Sequence, residues 1–142
     1  MLAIVGSTDL TGNYIAEMAI EAAIDAHTPR LVVSGGAKGI DTMAQLRATQ
    51  QGIEVKVFKP VPVPFSARTG KAFIDGGFKD RNLAIAIECE CLVRLHSTTS
   101  RTYGSGWTAD HAHRIGKRVW ATEIENGPRP ADPNINSYGG KP

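Results

Sequence analysis

The pattern that most narrows the fold is an alternation of short apolar runs with helix-length segments along most of the chain. Leu2 to Gly6 reads as a strand, closed by Gly6-Ser7-Thr8-Asp9. A helix follows from about Thr11 to Ala26, with Ile15, Met18, Ala19, Ala22 and Ala23 repeating on one face. Leu31-Val32-Val33 is a second strand, ended by Ser34-Gly35-Gly36. The second helix runs from about Gly39 to Gln51 and carries Ile40, Met43, Ala44 and Leu46. Val55 to Phe58 makes a third strand. A Pro- and Gly-rich loop, about Lys59 to Gly77, leads to a third helix at about Lys79 to Cys89. Cys91 to Leu95 is a fourth strand, Thr108 to Gly116 a fourth helix, and Val119 to Ala121 a fifth, short strand.

This order predicts an α/β fold: a Rossmann-like doubly wound parallel sheet of about five strands with helices on both faces. Right-handed crossovers then bring every strand-to-helix loop to one edge of the sheet. The 142 residues suffice for one domain with its own core, assigned to 1–125. The stretch 126–142 is rich in Pro, Gly and Asn without periodicity, and is expected as a tail, disordered or laid on a neighbouring subunit. No apolar run approaches the roughly 20 residues of a membrane span, so no membrane partner is expected. Met1 to Gly6 lacks the basic lead and cleavage site of a signal peptide and reads as a strand. Cys89 and Cys91 are too close for a usual disulfide, which favours two buried thiols and a reducing, cytoplasmic setting. A net charge of +2 is lower than a dedicated duplex-DNA binder usually carries.

Glycine is over-represented, at 15 residues against the roughly ten that a typical ~7% would give. Much of it lies in three strand-to-helix loops: Gly6-Ser7-Thr8-Asp9-Leu10-Thr11-Gly12, Ser34-Gly35-Gly36-Ala37-Lys38-Gly39-Ile40-Asp41, and Ser97 to Thr108. Each combines glycines, which admit close backbone approach, with hydroxyl donors and a helix N-terminus that favours anions. Lys38 and Arg101 add cations. Three such loops on one edge point to phosphate. Neither a Gly-x-Gly-x-x-Gly fingerprint nor a Gly-Lys-Ser/Thr phosphate loop is present, which disfavours a dinucleotide dehydrogenase and a P-loop NTPase.

The run Ser34-Gly35-Gly36-Ala37-Lys38-Gly39-Ile40-Asp41, following Leu31-Val32-Val33, closely resembles the second-strand motif of the SLOG superfamily. That superfamily includes the DNA-processing protein A of natural transformation and the lonely-guy phosphoribohydrolases. Arg81-Asn82 and Gly106-Trp107-Thr108-Ala109-Asp110 fall where its members carry an Arg-Asn or Arg-Lys pair and a glycine-rich turn. The resemblance covers about Met1 to Ala121. It implies a small single-domain member that binds a nucleotide, nucleoside phosphate or nucleotide-derived signal, including NAD-derived ones, as a sensor or sequestering protein. Gly35, Gly36 and Gly39 would admit phosphate beside Gly6, Gly104 and Gly106. Ser7, Thr8, Ser34, Ser105 and Thr108 would offer hydroxyls, with Lys38, Arg81 and Arg101 neutralising charge and Asn82 beside them. No cofactor is expected.

Two alternatives stay open. One is a nucleoside 5′-monophosphate N-glycosidase using Arg81 with Asp110 or His111. The lonely-guy pattern Pro-Gly-Gly-x-Gly-Thr-x-x-Glu is broken here, because His111 occupies the position of the catalytic Glu. Asp110 lies one residue early, about 100° around a helix. The other alternative is single-stranded nucleic-acid binding, using the basic stretch Lys56, Lys59, Arg68, Lys71, Lys79 and Arg81. Asp41 either binds a ribose hydroxyl or complements a helix dipole. Trp107, near Tyr103, either stacks on a base or anchors the fourth helix. His111 and His113 are spaced wrongly for a helical metal pair, so no metal site is expected. The resemblance also implies homo-oligomerisation, as a dimer or larger, with the second helix and the tail as candidate surfaces.

Overall fold

In the computed structural model, which describes residues 1–60, 77–100 and 103–126, all five strands join one parallel sheet. They are β1 (Leu2–Gly6), β2 (Leu31–Ser34), β3 (Glu54–Val57), β4 (Cys91–Ser97) and β5 (Arg118–Ile124), in the order β3-β2-β1-β4-β5. Period-two alternation sorts their side chains between two cores. On one face Leu2, Ile4, Val32, Val93 and Leu95 meet the helices α1 (Tyr14–His27) and α2 (Ile40–Gln50). On the other, Ala3, Val5, Val33 and Leu92 meet α3 (Phe78–Glu88) and α4 (Gly104–Arg114). The predicted fold class is thus observed.

Register fixes where the strand ends lie. Gly6 pairs with Leu95, so β4 continues two residues beyond the end of β1, to Ser97. The helix after β1 packs on one face and the helix after β4 on the other. The crevice between these two strand ends is therefore the switch point at which open α/β sheets take ligands.

The structure departs from the sequence reading mainly in α1 and α4; in addition Leu46 of α2 is exposed and β5, expected as a short strand, runs for seven residues. Of the α1 face expected at Ile15, Met18, Ala19, Ala22 and Ala23, Ala19 and Ala23 pack against the core, but Ile15, Met18 and Ala22 are exposed and the buried stripe is Ala16, Ile20 and Ile24. Alanines spread around the helix leave its apolar face ambiguous, and the branched Ile20 and Ile24, four residues apart, decide it by filling the sheet-facing groove. Its start is set by Asn13, whose Oδ1 accepts the Ala16 N–H at 3.0 Å. It ends where Thr28 turns left-handed at φ 40 before Pro29.

α4 starts at Gly104, not near Thr108 as predicted. Glycine and serine are tolerated in a first turn, whose N–H groups lack helical acceptors. The Tyr103 ring occupies the space a side chain at Gly106 would need. Among the described residues no helix is long and apolar enough to cross a membrane. The expected tail from Gly127 onward and most of the Lys59–Gly77 loop lie outside the described residues.

Candidate functional site

The edge of the sheet is assembled by the loops' own polar groups. Ser7 ends β1 with its N–H on the Leu95 carbonyl (3.1 Å) and its Oγ accepting the Ser97 N–H (2.8 Å). Its carbonyl accepts the Ile40 N–H (3.3 Å), which draws the start of α2 against the β1 loop. Gly39 permits that approach: a Cβ there would sit 2.3 Å from the Ser7 carbonyl oxygen.

Ser34 is fully buried. Its hydroxyl accepts from the Gly36 N–H (3.1 Å) and Gln45 Nε2 (2.7 Å), and donates to the Asp41 carbonyl (3.5 Å). Ser7 and Ser34, two of the hydroxyls predicted to meet a ligand, are thus engaged within the protein. Beside them Asp9 Oδ2 accepts from Ser97 Oγ (3.1 Å) and Thr99 Oγ1 (2.8 Å). Asn126 closes this network with its Nδ2 on the Asp9 carbonyl at 3.0 Å.

Against this frame lies a cleft of about 110 Å³, lined by Val5, Gly6, Thr8, Ala37, Asp41, Arg81, Asn82, Ile85, Gly104, Ser105 and Thr108. It draws on the β1 loop, the β2 loop and both helices of the second face. Of the predicted ligand residues, Gly6, Thr8, Asp41, Arg81, Asn82, Gly104, Ser105 and Thr108 meet here. Ser7, Ser34, Gly35, Gly36, Lys38, Gly39, Gly106 and Trp107 do not line it. Lys38 is exposed on the loop, and Arg101 lies outside the described residues. Val5, Ala37 and Ile85 line the cleft without having been singled out.

Its charged centre is Asp41 with Arg81. Asp41, second residue of α2, is 5% exposed and accepts the Ala37 N–H at 3.3 Å. Burial pushes its carboxyl up to about 6, against the opposing pull of the Ala37 N–H, the Arg81 charge, and the N–H groups of Gly35 and Gly6. Arg81 reaches over from α3, donating through Nη1 to the Gly35 carbonyl and through Nε to Asn82 Oδ1 (2.7 Å). Burial lowers its pKa and Asp41 opposes that shift. A Cβ on Gly35 would collide with both partners, at 2.6 Å from Arg81 Nη1 and 2.9 Å from Asp41 Oδ2. Gly35 therefore leaves room for both the Arg81 guanidinium and the Asp41 carboxyl.

The α4 wall holds further chemistry. Arg94 on β4 donates through Nε to Ser105 Oγ (3.0 Å), and its guanidinium lies 5.2 Å from the Tyr103 ring centroid. Arg94 belongs to none of the sequence motifs. The available signal was its place in β4, where Leu92, Arg94 and His96 share one parity and Leu92 packs under the helices. An arginine in a strand this apolar interrupts the core pattern.

Asp110 accepts from the Tyr103 hydroxyl at 2.9 Å and lines a separate, shallower groove with Arg94, His113 and Arg114. His111 stacks on Trp107, centroids 4.0 Å apart at 29°, with Nδ1 3.3 Å from the Trp107 carbonyl. Of the three candidate catalytic residues, only Arg81 borders the cleft. In the basic stretch, Lys56 pairs with Glu88 at 2.9 Å, while Arg68 and Lys71 lie outside the described residues.

A five-stranded parallel sheet wound in this order, with a polar cleft at its switch point, defines a Rossmann-like α/β domain. Among solved structures the chain is similar to DNA processing protein A (DprA) from Streptococcus pneumoniae. The TM-score is 0.63 at 21% identity, over 98% of this chain and 56% of that one. The chain thus spans little more than half the length of that protein, and at this identity the likeness establishes a DprA-like Rossmann fold. No protein-family model matches the sequence, and no match to it was found among the curated proteins.

Proposed function

We propose that the chain binds a nucleotide, nucleoside phosphate or nucleotide-derived signal in this cleft, as a sensor or sequestering protein. The observation that supports this most is the convergence on one small space of the Arg81 guanidinium, the first turn of α4 at Gly104 and Ser105, and the Thr8 and Thr108 side chains. A helix N-terminus and a guanidinium complement an anion, while hydroxyls and a buried carboxylate complement sugar hydroxyls. A cleft of about 110 Å³ is smaller than most pockets that enclose a whole drug-sized ligand. It takes the phosphate–sugar part, and the base extends beyond it.

Isothermal calorimetry against nucleoside mono-, di- and triphosphates and cyclic NAD-derived products tests the reading. Heat from at least one ligand, reduced at least tenfold in affinity by Arg81→Ala, is expected; no heat from any of them rejects it. Single-stranded DNA binding is the second reading, favoured by the fold shared with DNA processing protein A. Salt-sensitive retention of a labelled oligonucleotide supports it, and absence of retention at low salt rejects it. The N-glycosidase alternative gains no support among the described residues, since Asp110 and His111 stand outside the cleft with partners of their own.

A further inference from the structure

We propose that seating an anion in this cleft is coupled to protonation of Asp41, so that the protein's affinity for anions rises as the medium is acidified. The inference rests on the anion reading of the cleft given above and adds its regulation. A phosphate cleft with a carboxylate in its wall contains a conflict, and the geometry indicates how it resolves. Asp41 borders the same space as Arg81, Asn82, Ser105 and Thr108 and is almost wholly withdrawn from water.

The groups that face it can be named element by element. β1 contributes the Gly6 N–H, and the loop after β2 contributes the N–H groups of Gly35 and Ala37. α3 contributes the Arg81 guanidinium. α4 brings Ser105 and Thr108 to the cleft, neither of them charged. Among the described residues, Arg81 is the one charged side chain acting on this carboxyl.

Arg81 is also fixed in place by the Gly35 carbonyl and by Asn82 Oδ1. It cannot follow a ligand away from Asp41 without breaking those bonds. An anion seated in so small a space therefore shares one guanidinium with a buried carboxylate, and two like charges at a common site raise the pKa of the weaker acid. Protonating Asp41 removes the repulsion and leaves the guanidinium to the ligand. Burial already holds this carboxyl at about 6, so the proton is taken up from solution near neutrality. If the bound state requires the neutral carboxyl, affinity follows its neutral fraction and falls roughly 20-fold between about pH 5.5 and pH 7.5.

Sulfate is the appropriate probe, because it keeps its double charge throughout that range. Its dissociation constant is measured by calorimetry on the full chain at both pH values, for wild type and for Asp41→Asn. The coupling predicts weakening of about 20-fold at the higher pH in wild type and less than about twofold in the variant. No histidine lines the cleft, and the variant also controls for histidine titration elsewhere. Sulfate affinity that is equal at the two pH values, or that retains its pH dependence in Asp41→Asn, overturns the coupling and leaves the anion cleft standing. No sulfate binding at either pH overturns both. Should Asp41→Asn fail to fold, the carboxyl carbon of Asp41 is followed by NMR in wild type. Its midpoint must rise by at least about one pH unit in saturating sulfate, and an unmoved midpoint overturns the proposal.

Discussion

Gly39 tests whether the glycines of the β2 loop exist to admit a ligand or to let the chain pack on itself. It enters α2 with φ 76 and ψ −127, a region closed to residues with a Cβ except at a cost of about 1–3 kcal/mol. A Cβ would also lie 2.3 Å from the Ser7 carbonyl oxygen and 2.7 Å from Thr8 Cα. Both are backbone atoms, and no rotamer change relieves the overlap. Overpacking of this kind adds about 1–3 kcal/mol. Gly39→Ala should therefore destabilise the fold by about 4 kcal/mol, a large part of the roughly 5–15 kcal/mol a domain possesses. Gly12 supplies the internal control. Its φ is 75, yet a Cβ there meets nothing within 4 Å, so Gly12→Ala carries only the conformational cost of about 1 kcal/mol. Urea denaturation followed by tryptophan fluorescence measures both, provided the slope m is unchanged between variants. A gap of about 3 kcal/mol supports self-packing. If Gly39→Ala lies within about 1 kcal/mol of Gly12→Ala, the reasoning is refuted. If that same variant loses nucleotide binding at full stability, Gly39 belongs to the ligand.

Other consequences are equally direct. Because burial raises the Asp41 carboxyl to about 6, folding favours its protonated form; the resulting stability is fully present below about pH 4 and lost as pH rises through about 6, by up to about 3 kcal/mol. Comparing urea midpoints of wild type and Asp41→Asn at intervals across that window should show the slope from this group only in wild type, and parallel profiles would refute the assignment. Ser7→Ala removes the acceptor of the Ser97 N–H (2.8 Å) and should cost about 1–3 kcal/mol by stranding a buried donor, read as a lowered melting temperature; an unchanged one refutes it. Cys89 is fully buried, and burial pushes its thiol up to about 11. A thiol reagent at about pH 8 should therefore modify Cys89 only as fast as the protein unfolds, with modification sites assigned by mass spectrometry.

The sequence made the sheet legible because its signals are local. Apolar runs bounded by glycine or charge gave all five strands, and alternation between strand and helix gave their parallel sense. The α1 core face was not legible, since alanine contributes to either side of a helix and only packing against the sheet selects Ile20 and Ile24. Arg94 is not legible for a related reason: a strand position announces burial, and the Ser105 and Tyr103 groups that receive the guanidinium arrive from the start of a later helix and the residue before it. Candidate site residues were drawn from loops by composition, and composition does not tell which way a hydroxyl turns. Ser7 turns inward to the end of β4 and Ser34 to α2, whereas Thr8 and Ser105 border the cleft.

The glycines carry the sharpest form of that ambiguity. An excess of glycine beside strand ends fits a phosphate site and a crowded junction equally well, because both require backbone with no side chain in the way. Here the space in front of Gly6 is filled by the Leu95 carbonyl and Ile40, that of Gly39 by the β1 loop, and that of Gly35 by the Arg81 and Asp41 side chains. These three residues bring loops from distant parts of the chain close enough for the cleft to exist. Gly104 differs, since a Cβ there meets nothing within 4 Å although the residue lines the cleft in the first turn of α4. Substituting Gly104 by Ala should leave stability within about 1 kcal/mol of wild type while narrowing the space available to a ligand. Gly35→Ala should disturb Arg81 and Asp41 whether or not a ligand is present. Measuring stability and nucleotide affinity for both variants separates the two kinds of glycine, and equal loss of stability in both would refute the distinction.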